Sequence, residues 1–209
     1  MIKIWGRKTS SNVQKAMWAV GELKLEYERI DIGGPFGKNR DASYLAMNPN
    51  GLVPTLEEED GFLLWESNSI VRYLAGKHDR SGVLEPKDAK QRALANQWMD
   101  WQLSVAGPVI TPAFWGLIRT PPEKRDVAAI KASQEKTVDA MKMLDARLGK
   151  TPYVAGPNFS YGDIPVGIMC YRYRQLVPDR PATPNLDRWY DAISSRQAFK
   201  DHVGSVPLT

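Results

Sequence analysis

Thr9-Ser10-Ser11-Asn12 is a run of hydroxyl and amide side chains set between a short apolar segment and a helical stripe. Such residues cap helices, and a helix start leaves its first backbone N–H groups and its positive dipole end facing whatever lies there. The position suits an anion. A cysteine at such a place has its thiolate stabilised by the helix end. Here the side chains are hydroxyls, which cannot do that redox chemistry. They can donate a hydrogen bond to a thiolate brought in by a ligand and so favour its charged form, which implies a thiol cofactor. Val53-Pro54 follows the turn Asn48-Pro49-Asn50-Gly51 and precedes a short strand. A cis peptide there would present the Val53 N–H and C=O to an extended peptide lying as an added strand. Glu66-Ser67-Asn68 opens a second helix, so a carboxylate suited to an ammonium stands beside a hydroxyl and free amides suited to a carboxylate. Taken singly, each of these segments reads more simply: helix caps, a trans turn proline, a surface carboxylate.

Other chemistries have little to work with. Cys170 is the single cysteine, which excludes an intrachain disulfide, a cysteine zinc site and a Cys-x-x-Cys redox pair. It lies in the apolar run Ile164 to Tyr171, the setting of a buried, inert thiol. His78 and His202 are the only histidines, a thin basis for a metal site or a Ser-His-Asp triad; no metal is expected. The net charge of +4 arises wholly after residue 78, because residues 1–78 hold ten basic and ten acidic side chains and the rest eighteen against fourteen. That excess is interspersed, with no basic run longer than Lys124-Arg125, so neither nucleic-acid nor membrane binding is expected. With 43% hydrophobic and 10% aromatic residues the chain is not disordered. It lacks the ~18-residue apolar run of a membrane span and has no targeting segment at its start. The expected address is the cytoplasm.

The elements that must position these residues can be read from periodicity. Ile2 and Ile4 share one face of a short strand, and Val13, Ala16, Met17 and Val20 follow at helical spacing. Leu25 to Ile32 reads as a second strand ending at Gly33-Gly34-Pro35, which makes a βαβ unit with parallel strands. A short helix around Asp41 to Met47 comes next. Val53 to Leu56 and Phe62 to Trp65, joined through Asp60-Gly61, form a hairpin. Ser67 can cap a helix carrying Ile70, Val71 and Leu74. Beyond His78 strand signals stop. Leu94, Trp98, Trp101 and Val105 form the stripe of a core-facing helix that Gly107-Pro108 should bend or end. Val127 to Leu148 is a second long helix. Ser160-x-x-Asp163 reads as a capping box opening a third, and Thr183 or Asn185 can cap a last one through Leu186, Trp189 and Ile193.

These pieces, in this order, resemble the glutathione transferase superfamily: Asn48-Pro49-x-Gly51-x-Val53-Pro54-x-Leu56, then Trp65-Glu66-Ser67-x-x-Ile70-x-x-Tyr73-Leu74, then Phe159-Ser160-x-x-Asp163. The resemblance covers nearly the whole chain and is strongest to bacterial or theta-like members that use serine as thiol activator. It implies an α/β thioredoxin-like N-terminal domain that binds glutathione (residues 1–78), a linker (79–87), and an all-helical domain (88–209) that binds the electrophile, in a cytoplasmic homodimer. By position Ser11 becomes the activating hydroxyl, four residues before Lys15, where theta-like members carry Arg. Ser10 is the runner-up, and Thr9 and Asn12 are within reach of the sulfur. Val53, with Pro54 behind it, would pair its backbone with the cysteinyl unit. Glu66 and Ser67 would hold the γ-glutamyl end, and Asn50, Lys38 or Arg40 the glycine carboxylate. Leu52 replaces a frequent basic residue there. Phe114, Trp115 and Tyr171 fall where the family places its substrate pocket.

The implied activity is attack of the glutathione thiolate on a mostly apolar electrophile, a detoxification chemistry. Glutathione-dependent reduction of a disulfide or peroxide, and a non-catalytic ligand-binding module of the same fold, are the alternatives. A thiol of pKa about 8.5 is only a few per cent ionised at neutral pH, and bringing it to roughly 6.5 takes about 2.7 kcal/mol. One hydrogen bond to the thiolate, about 1.5–3 kcal/mol, together with up to about 1 kcal/mol from the helix end, reaches that figure.

Overall fold

A computed structural model describes residues 1–82 and 84–209; Val83, inside the expected linker, lies outside the described residues. The chain divides into two units, Met1–Glu85 with Arg196–Pro207, and Pro86–Ser195 with Leu208–Thr209.

In the first unit β1 (Ile2–Trp5), α1 (Ser11–Glu22) and β2 (Tyr27–Ile30) form the βαβ element, with β1 and β2 parallel from Ile2↔Tyr27 to Trp5↔Ile30. After α2 (Ala42–Met47), β3 (Thr55–Glu57) and β4 (Leu63–Trp65) make an antiparallel hairpin, and β3 also runs antiparallel to β1. Among the described residues the sheet has the order β2-β1-β3-β4, and α3 (Ser67–His78) follows it. Ile4 and Leu56 of the sheet, Val13, Ala16 and Val20 of α1, and Ile70, Val71 and Leu74 of α3 are fully buried. A Leu74→Ala cavity in this layer costs about 2–5 kcal/mol. Gly6, at the end of β1, is the close point: a Cβ there would meet Val13 Cγ2 at 2.4 Å and Val53 Cβ at 3.2 Å. The polar stretch after α3 is gathered by the Asp79 carboxylate, which accepts from the backbone N–H groups of Ser81, Gly82, Leu84 and Glu85 at 2.6–3.1 Å.

In the second unit α4 (Ala89–Trp101) passes through a π-helical stretch (Gln102–Ala106) into α5 (Gly107–Phe114) and a second π stretch (Trp115–Arg119). Gly107-Pro108, expected to bend or end the helix, does not end it: the regular α-helix gives way to the π stretch just before Gly107 and resumes there. Pro108 falls in the first turn of α5, and the wider π turn just before it accommodates a residue with no N–H to donate. The most buried face of α4 is Ala95, Trp98 and Met99, with Trp101 only half-buried and its ring 4.9 Å from that of Trp98. Then come α6 (Val127–Leu148), α7 (Asp163–Leu176) and α8 (Pro184–Ser194). Thr183 stands at the N-cap of α8 without capping it. Asp145 of α6 accepts from the Leu186 N–H at 2.8 Å instead, and from Asn185 Nδ2 at 3.2 Å.

Nor is α8 the last helix. A short α9 (Gln197–Phe199) and a π turn (Lys200–Gly204) follow, and residues 196–207, expected within 88–209, cluster with the first unit. Arg196 binds Glu22 at the end of α1 through both carboxylate oxygens, at 2.7 and 2.6 Å, and the Phe199 ring packs edge-on to Trp18 at 4.9 Å.

Candidate functional site

Ser10 occupies the N-cap of α1 in extended geometry (φ −79°, ψ 123°), and its carbonyl accepts the first helical bond from the Gln14 N–H at 2.9 Å. Its hydroxyl makes no capping bond, and no acidic side chain lies in the first turn. Neither Ser10 nor Ser11 has a side-chain hydrogen-bond partner among the described residues, and both are half-buried, as is Thr9. The bland reading of these serines as caps therefore fails. Their hydroxyls are half-exposed and take no part in satisfying the helix-start amides.

One turn further in, the Lys15 side chain is fully buried. Its Nζ donates to Ser67 Oγ at 3.4 Å, and Ser67 Oγ donates to Asn12 Oδ1 at 3.4 Å. Ser67 was expected to cap α3; it is instead the first helical residue, its hydroxyl turned to α1, and the N-cap is Glu66 with no side-chain cap bond. Glu66 holds φ +72°, a left-handed conformation costing a non-glycine residue about 1–2 kcal/mol. Retained strain of this kind at the junction of a strand and a helix marks a residue whose direction matters. Its carboxylate is exposed.

The third wall is the loop 48–54. The Val53-Pro54 peptide is cis. The β3 ladder begins only at Thr55, so the Val53 backbone takes no part in the sheet. Asn48 holds this loop from beneath. Its Oδ1 accepts from the N–H and Nδ2 of Asn50, both at 3.1 Å, and its Nδ2 donates to Leu52 O at 2.9 Å and Thr55 Oγ1 at 3.2 Å. Tyr44 Oη donates to Leu52 O at 2.7 Å and lies 2.9 Å from Thr55 Oγ1, and burial pushes its phenol above the ordinary range. Gly51, at φ +61°, cannot be replaced cheaply, because a Cβ there would lie 2.8 Å from the Asn39 carbonyl oxygen. Arg40 donates to Asn50 O at 3.2 Å.

A shallow cleft results, lined by Asn12, Asn48, Asn50, Leu52, Val53, Pro54, Glu66 and Ser67. It brings together Asn12, Asn50, Val53, Pro54, Glu66 and Ser67 of the residues expected from the sequence; Ser11 adjoins it through Asn12. Lys38 lies on an exposed turn at φ +63° and is not part of the lining. Sequence reasoning overlooked Asn48 and Tyr44 as the supports of the loop, and used Lys15 only as a landmark. A charged residue inside the stripe Val13, Ala16, Met17, Val20 was the available signal.

In the second unit Phe114 is buried, Trp115 is 58% exposed, and Tyr171 is half-buried, its phenol raised by desolvation. The Phe114 ring lies 6.4 Å from that of Trp115 and under the guanidinium groups of Arg172, at 4.3 Å, and Arg119, at 5.7 Å. Cys170 is fully buried, which pushes its thiol far up and leaves it inert. Asp163 is also fully buried and accepts from Val154 N at 3.1 Å, Ser160 N at 2.9 Å, Ser160 Oγ at 3.2 Å and Trp189 Nε1 at 2.8 Å. Burial still outweighs those donors and raises its carboxyl to about 6.

The family models for the glutathione S-transferase N-terminal domain and C-terminal domain match residues 9–77 and 107–197. Glutathione S-transferase GstB of Escherichia coli is 42% identical over 210 residues, covering 100% of both chains. Among solved structures, the theta class glutathione S-transferase of Xanthomonas axonopodis pv. citri, with glutathione bound, superposes with a TM-score of 0.94 at 42% identity, covering 100% of this chain and 99% of the other. Glutathione transferase F7 of Populus trichocarpa gives 0.87 at 25% identity, covering 99% of this chain and 100% of the other. The chain belongs to the glutathione S-transferase family. Its two units are the thioredoxin-like α/β part and the helical part of that fold, and none of its helices among the described residues is long and apolar enough to cross a membrane.

Proposed function

We propose that this chain is a glutathione transferase in which Ser11 donates a hydrogen bond to the glutathione sulfur and holds it as the thiolate. The observation that carries the reading is the pair of unpartnered hydroxyls, Ser10 and Ser11, at an uncapped helix start beside the cleft of Asn12, Val53 and Glu66. A tripeptide laid along Val53 completes an edge that the β3 ladder leaves open. Its γ-glutamyl ammonium faces the Glu66 carboxylate and its α-carboxylate the Ser67 hydroxyl and the free amides of α3, with the buried Lys15 ammonium behind them. Asn50 stands nearest the glycine end, with Lys38 as an outlying cation. The thiolate then attacks an electrophile, forming the carbon–sulfur bond as the leaving group departs or as the electron pair enters a conjugated acceptor. Ser10, Thr9 and Asn12 border the sulfur, and Phe114, Trp115 and Tyr171 supply the apolar surface for the acceptor.

Family membership at 42% identity to GstB over the full length supports the activity. It also supports a cytoplasmic homodimer that removes reactive electrophiles. Calorimetric titration of the wild-type protein with glutathione, with turnover of an activated aryl halide, tests the reading. Binding below millimolar with conjugate formation is expected. Absence of binding at millimolar glutathione would overturn it in favour of a non-catalytic module.

A further inference from the structure

The first unit carries another cleft, about 310 Å³ in volume, bordered by Met1 and Ile2, the turn after β3 at Glu58 to Asp60, and the end of α3 at Lys77 and His78. The length of β3 separates it from the loop 48–54. A space of that size takes a small organic molecule. The Glu58 side chain, only 8% exposed, faces it. Glu58 Oε2 accepts from Lys77 Nζ, which also donates to Tyr73 Oη at 3.1 Å. Glu58 Oε1 is buried and has no hydrogen-bond partner among the described residues. His78 ends α3 half-buried, and its Nε2 is likewise buried and unpartnered. Buried polar atoms are nearly always hydrogen-bonded, so two such atoms on one cleft call for a partner there.

The turn that carries Glu58 is fixed. Its N–H donates to Phe62 O at 2.9 Å and its carbonyl accepts from Gly61 N–H at 3.0 Å, with Gly61 at φ +86°. Three carboxylates line the cleft against two ammonium groups. Lys77 is neutralised by Glu58, and the Met1 ammonium by Glu59. Asp60 meets no cation among the described residues; its carboxylate accepts from Phe62 N–H at 3.0 Å. Burial keeps the His78 imidazole below its ordinary range, helped by the charges of Lys77 and Arg80 and opposed by Glu58, which leaves it uncharged at neutral pH. With its proton on Nδ1, Nε2 is an acceptor. Arg80 lies outside the lining.

A partner for these atoms must bring donors and positive charge. A divalent metal ion does not fit, because among the described residues no group of three His, Cys, Asp or Glu side chains is placed to hold one. We infer that this cleft binds a primary alkylammonium ion, its N–H donors shared between Glu58 Oε1 and His78 Nε2 and its alkyl chain along Met1 and Ile2. An ammonium carries three donors and no acceptor, the complement of a carboxylate oxygen and an imidazole acceptor. Asp60 adds its attraction at the rim. The inference does not depend on the proposed transferase activity.

The test uses the full-length wild-type protein, n-butylammonium chloride as the probe and 1-butanol as its neutral counterpart, at low ionic strength and about pH 8, where the amine is charged and His78 is not. Backbone amide shifts of Ile2, Gly61 and His78 in nuclear magnetic resonance spectra report binding. The ammonium should move all three saturably and bind at least about fivefold more tightly than the alcohol. Glu58→Gln keeps the shape of the side chain and removes its charge; it should weaken the ammonium about tenfold. His78→Phe keeps a ring at the end of α3 and removes the acceptor, with a loss of about fivefold. Asp60→Asn should cost about twofold, and because Asp60 is exposed this variant tests the charge even where a buried substitution fails to fold. Equal affinity for ammonium and alcohol, an affinity unchanged by these substitutions, or Zn²⁺ moving the same amides at lower concentration than the amine would overturn the inference.

Discussion

Asp88 and Asp126 each turn a carboxylate onto an amide at the start of a helix in the second unit, and Asp163 binds the segment that leads into α7, whereas Ser10 and Glu66 stand at the starts of α1 and α3 in the first and cap nothing. Asp88 accepts from Gln91 N and Asp126 from Ala129 N, both at 2.9 Å, and Asp163 collects its donors in full burial. At α1 and α3 no side-chain cap bond forms and no acid occupies the first turn. A helix start satisfied from within has only a structural task. One left open at the edge of a cleft has amides and hydroxyls to offer a ligand. At α1 and just before α7 the sequence motifs look alike, Ser10-Ser11 and Ser160-x-x-Asp163 both beginning with a serine. The difference lies in whether an acid three residues on folds back.

The comparison can be broken from either side. Asp163→Ala strands the N–H groups of Val154 and Ser160 and the indole of Trp189 in the core; the expected loss is about 3–5 kcal/mol in urea unfolding. In contrast, Ser11→Ala should leave the unfolding midpoint unchanged within error while lowering kcat/KM at neutral pH by roughly 10- to 100-fold, the worth of a hydrogen bond to a charged acceptor. That deficit should shrink above the thiol's own pKa, where glutathione ionises unaided. Glu66→Gln should raise the KM for glutathione by about tenfold with little change in kcat, and Glu66→Gly should weaken binding similarly while gaining about 1 kcal/mol of stability as the strain is relieved. A coupled rise or fall of stability and affinity at Glu66 would remove the case that its strained backbone serves the ligand.

A smaller effect sharpens the second unit's side. The folded protein takes up the Asp163 proton at about 6, whereas in the unfolded chain that waits until near 3.8. Between those values the folded state binds more protons than the unfolded, so this group's contribution is fully present below the lower value and is lost as pH rises through about 6. Relative to Asp163→Asn, wild-type stability should therefore rise as pH falls from about 6.5 to 4.5, read from urea midpoints at each pH. A flat difference would mean that the four donors already offset desolvation.

The parts of the fold with regular periodicity were legible in the sequence. Ile2 and Ile4, then Val13, Ala16, Met17 and Val20, specify the βαβ element because a one-face pattern leaves few other ways to bury those side chains. The segment 196–207 was not, since its place depends on Arg196 meeting Glu22 and Phe199 meeting Trp18, contacts between residues far apart in the chain. The continuation through Gly107-Pro108 escaped for a local reason: a π turn relieves a proline without any signal in residue type. At the site, Ser11, Val53-Pro54 and Glu66-Ser67 could be named because their motifs are contiguous. Asn48, Tyr44 and Lys15 could not, because they act through bonds that exist only once the loop, α1 and α3 have come together.

The central claim is that the open start of α1 ionises a bound thiol. Titrating the ultraviolet thiolate absorbance of glutathione bound to the wild-type protein and to Ser11→Ala tests it most directly. The account predicts a bound pKa near 6.5 for wild type, rising by at least about one for Ser11→Ala with the fold intact. A bound thiol that titrates near its free value in wild type, or equally low in both proteins, would contradict it.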